Sequence, residues 1–100
     1  MRVELKIEGG IAYFPGLSKP RAIESDKLSK EDAAELERLV NAAHFFNLPI
    51  RVGAVQEGAA DYRQYIVTIA EGRRSHTVRM VDPIEDTHLQ LLLEFVKSRT

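Results

Sequence analysis

Polar and apolar residues alternate from the start of the chain. Val3, Leu5 and Ile7 interleave with Arg2, Glu4, Lys6 and Glu8, the period of a strand with one wet face and one buried face. Gly9-Gly10 opens backbone angles closed to other residues, so the spacing predicts a turn or bulge there. The apolar run Ile11-Ala12-Tyr13-Phe14 is then cut by Pro15-Gly16. Pro15 and Pro20 exclude a long central strand, which leaves a loop or edge segment before a short strand at 21–25.

The period changes over 29–49. Ser29 can accept from the free N–H groups of a first helical turn, and Glu31 and Asp32 sit at the positive end of the dipole. Ala33, Leu36, Val40 and Ala43, with Leu39 beside them, form one apolar stripe, while Lys30, Glu37, Arg38 and Asn41 lie mostly off it. Pro49 pushes Leu48 out of the α region, so the helix is expected to end near Phe46, with Phe46 in the core. The 51–60 stretch reads as a loop with a short strand at 52–55. In 61–70, Tyr65, Val67 and Ile69 point one way and Gln64, Ile66 and Thr68 the other.

A two-residue turn at Glu71-Gly72 leads into 73–81 and sets Ile69 opposite Arg74, Val67 opposite His76, Tyr65 opposite Val78 and Arg63 opposite Met80. Asp82 as cap, Pro83 at the first helical position and Glu85 three residues after the cap predict a second helix. Its stripe is Leu89, Leu92, Phe95 and Val96, with Leu91 at the flank. The order is strand, strand, helix, strand, strand, helix. It implies an α+β, two-layer fold with two helices packed on one face of a mainly antiparallel sheet of about four strands.

At 100 residues, 44% hydrophobic and 29% charged, the chain has the length of a single domain, 1–100, with enough apolar surface for one core. A net charge of −1 predicts no strong pull toward nucleic acid or an anionic membrane. No segment approaches the ~18 apolar residues of a membrane span. The alternating N-terminus is not a secretory signal, and there is no cysteine. Both are compatible with the cytoplasm.

Chemistry is harder to find. His44, His76 and His88 are scattered, with no pair at i, i+4, and the single Glu85/His88 pair at i, i+3 is a weak metal signal. His76, on the inner face of its strand, reads as a packed, hydrogen-bonded side chain. No Gly-x-Ser-x-Gly elbow, Walker loop or dinucleotide fingerprint occurs. Arg63, Arg73, Arg74 and Arg79 make the hairpin basic but lack interleaved aromatic platforms, so they read as a solvated face. Neither an enzyme, a cofactor nor a metal is expected.

Other features carry a likeness. The strand into Gly9-Gly10-Ile11, the run Leu39-Val40-Asn41-Ala42-Ala43-His44-Phe45-Phe46-Asn47-Leu48-Pro49, and Asp61 with Tyr65, followed by Arg74, His76 and Val78, resemble the emfourin family. Those are proteinaceous inhibitors of protealysin, a thermolysin-like zinc metallopeptidase. The chain departs from the pattern at 11–16, where such sequences tend to place an aromatic and a further glycine. The resemblance implies a protein partner, a thermolysin-like metallopeptidase, and no catalytic residues or metal in this chain. A two-glycine turn carrying apolar side chains is a natural interaction site. The expected partner-binding residues are therefore Gly9, Gly10, Ile11, Tyr13 and Phe14, with Ile11 or Phe14 entering an apolar pocket. An acidic group, Asp61, Asp82 or Glu85, is the other way to approach the enzyme's zinc. A monomer is expected; the alternative reading is a non-inhibitory protein–protein interaction module that binds another protein or assembles with itself.

Overall fold

The computed structural model describes residues 1–9, 20–53 and 63–99. Strands β1 (Arg2–Gly9) and β2 (Arg21–Glu24) precede helix α1 (Lys30–Ala42); β3 (Arg51–Val52), β4 (Arg63–Glu71), β5 (Arg74–Val81) and helix α2 (Thr87–Arg99) follow. The sheet has five strands in the order β2-β1-β4-β5-β3. All pairings are antiparallel except β3 with β5. The two-layer α+β architecture is as expected, but the sheet is mixed and gains a fifth strand. That strand answers to the short one expected at 52–55: it is two residues long and holds to the edge by pairing Arg51 with Arg79 and Val52 with Met80, and 54–55 lie outside the described residues.

Both helices cover one face. Val3, Leu5, Tyr65, Val67, Ile69, Val78 and Met80 meet Leu36, Leu39 and Val40 of α1 and Leu89, Leu92, Leu93 and Val96 of α2 in one buried cluster. Burying each large side chain contributes roughly 1.5–3 kcal/mol, which is what binds the layers. Arg99 at the end of α2 bonds Asp32 at the start of α1, at 2.9 and 3.0 Å, so the helices run antiparallel. The opposite face of the sheet carries Arg2, Glu4, Lys6, Glu8, Thr68, Thr77 and Arg79, tied by cross-strand bonds such as Thr68 Oγ1 to Thr77 Oγ1 at 2.8 Å.

Five expectations are corrected. The hairpin turn is Gly72-Arg73, with Glu71 paired to Arg74, Val67 to Val78 and Tyr65 to Met80. Gly72 takes φ +61° at the first turn position, where a glycine is the least strained residue. The slip keeps every side chain on its expected face and pairs apolar with apolar, replacing Val67 opposite His76. Helix α1 stops at Ala42 and not near Phe46: Ser29 caps it through Asp32 N–H as expected, but His44 turns left-handed at φ +52° and a short 3-10 turn follows over Phe45–Asn47.

With the helical phase lost, Phe45 goes fully into the core and Phe46 is only half-buried, the reverse of the expected Phe46. Finally, α2 begins at Thr87 and Asp86, not Asp82, caps it, its Oδ1 accepting from Leu89 N–H at 3.1 Å. Asp82 N–H donates to Arg63 carbonyl oxygen, so the chain stays with the sheet until the proline. On α2, Leu93 is buried where Phe95 was expected, and Phe95 is half-buried.

Candidate functional site

The expected contact turn begins where β1 ends. Gly9 is the last strand residue, exposed, with φ +87° and paired to Arg63 at the start of β4. Gly10, Ile11, Tyr13 and Phe14 lie outside the described residues, as does Asp61. The described chain around Gly9 is well tethered. Glu8 accepts from Lys6 at 3.2 Å and from Arg79 at 3.1 Å, and Arg79 also donates to Gln64 Oε1 at 2.7 Å. The bond from Lys6, then that from Arg79, holds the Glu8 carboxyl below the usual carboxylate range. A salt-linked row thus ties β1, β4 and β5 together at this end of the sheet.

The same end of the sheet carries an open groove of about 230 Å³ on the helix side, between α2 and the ends of β4 and β5. Tyr65, Ile84 and Leu93 give it an apolar floor, with Asp82 and Glu94 among its lining residues. Its shape is maintained by Gln90, whose side-chain amide donates to Ile84 carbonyl oxygen, and by Lys97 over the Tyr65 ring. Of the acidic candidates, Asp82 sits at this groove and Glu85 is exposed on the approach to α2.

The remaining chemistry resolves into structural roles. His76 donates from Nε2 to Leu48 carbonyl oxygen at 2.7 Å and meets Phe45 edge-on at 5.7 Å. Among the described residues no three His, Asp or Glu groups are placed to hold a metal; Glu85 and His88 are both exposed, and Glu85 lies before the start of α2. Half of the basic hairpin is occupied: Arg74 bonds Glu71 at 2.8 Å and stacks over Phe46 at 3.9 Å, and Arg79 bonds Glu8 and Gln64. No described helix is long and apolar enough to cross a membrane.

One surface feature escaped the sequence reading. Ile50 is 75% exposed, and Leu91 of α2 is 45% exposed. The sequence pattern puts Leu91 at a helix flank and gives Ile50 no periodic position. The available signal was its position just after Leu48-Pro49, a large apolar residue with no periodic partner.

The emfourin family model matches residues 5–97, from within β1 to within α2. This chain belongs to the emfourin family. Among solved structures it is similar to emfourin (M4in) from Serratia proteamaculans, described as an M4 family peptidase inhibitor, at 24% identity over 99% of this chain and 88% of that one, with a TM-score of 0.41. No curated protein matches it. The expected emfourin contact turn, Gly9 to Phe14, is met by the described residues only at Gly9, whose geometry is that of a strand end held against β4.

Proposed function

We propose that this emfourin inhibits a thermolysin-like zinc metallopeptidase of the protealysin type, blocking the substrate cleft with a surface loop and taking no part in chemistry itself. The observation that carries the reading is the family match over residues 5–97. The contact is assigned to Gly9, Gly10, Ile11, Tyr13 and Phe14, and the zinc belongs to the enzyme. The tethering of Glu8 to Lys6 and Arg79 supports this choice. An interface of roughly 800 Å² per partner is within the reach of a domain of this size.

Titration of a protealysin-type peptidase with the folded protein tests it. Dose-dependent loss of peptidase activity is expected, and Ile11→Ala or Phe14→Ala should weaken inhibition at least about tenfold with the fold retained, the size of one good anchor. Full peptidase activity at saturating protein would refute the function. Co-elution without loss of activity would instead favour a non-inhibitory module.

A further inference from the structure

We draw no further inference here: the strongest candidate, the open groove between α2 and the ends of β4 and β5, has its apolar floor of Tyr65, Ile84 and Leu93 almost wholly buried and a rim of mixed charge, Asp82 and Glu94 with Lys97, and nothing in the structure shows what covers it.

Discussion

Phe45 and Phe46 are chemically identical neighbours, and the fold treats them differently enough to measure. Phe45 is fully buried, with ring centroids 5.9 Å from Phe46 and 5.7 Å from His76, both edge-on. Replacing it with alanine removes a buried aromatic ring and leaves a hole beneath the junction of α1 and the β5 edge. Such changes cost about 3–5 kcal/mol, to which each lost edge-to-face contact adds in the range of 0.5–1.5 kcal/mol when its partner cannot relax.

Phe46 is only packed against the outside of the core, and its chief specific contact is the Arg74 guanidinium at 3.9 Å, an exposed cation–π pair of about 0.5–1 kcal/mol. Phe46→Ala should therefore cost about 1–2 kcal/mol. Urea unfolding followed by circular dichroism, with the slope held common, would read a difference of at least about 2 kcal/mol between the two variants. In a domain of this length that corresponds to a gap of about 8 °C or more in melting temperature. Equal losses, or a larger loss for Phe46→Ala, would show that α1 continues through both residues and that the left-handed break at His44 is wrong.

Two further outcomes follow from the caps and charges. Asp86→Ala should destabilise by about 1 kcal/mol through loss of the bond to Leu89 N–H, with Asp86→Asn largely restoring it, whereas Asp82→Ala should be near neutral; thermal melts of the three variants would reveal a wrongly placed helix start as the opposite ranking. The Arg99 guanidinium, chiefly through its hydrogen bonds, holds the Asp32 carboxyl below the usual carboxylate range. A depressed folded pKa contributes stability at pH above the unfolded value of about 3.9, lost as pH falls through the lower folded value. The stability gap between wild type and Asp32→Asn should accordingly be present at pH 7 and shrink below about pH 4, and urea midpoints across that range that stay parallel would contradict it.

Much of the molecule follows from the order of residues alone. Alternation in β1 and β4 fixed which side chains face inward, because the strand period is two and a face cannot be half wet. The stripe Leu36, Leu39, Val40 and the cap at Ser29 located α1 from its start, and Gly9 was recognisable as a strand end, since these signals are local. What tertiary contact decided lies at the ends of elements and at the sheet edges. Local spacing allows a turn at either Glu71-Gly72 or Gly72-Arg73. Pairing Val67 with Val78 and Tyr65 with Met80 across the strands selects the second.

Two carboxylates could cap α2, and the bond from Asp82 N–H to Arg63 holds the first in the sheet, leaving the task to Asp86. No spacing around Phe45 says that it, and not Phe46, enters the core; the left-handed turn that His44 adopts in the fold and the His76 side chain from a distant strand settle that. The same strand, through His76 and Arg79, bonds the Leu48 and Ile50 carbonyl oxygens at 2.7 and 2.8 Å and holds Ile50 outward. Its exposure is a property of partners that come from a different strand, and so could not be read from its own neighbours.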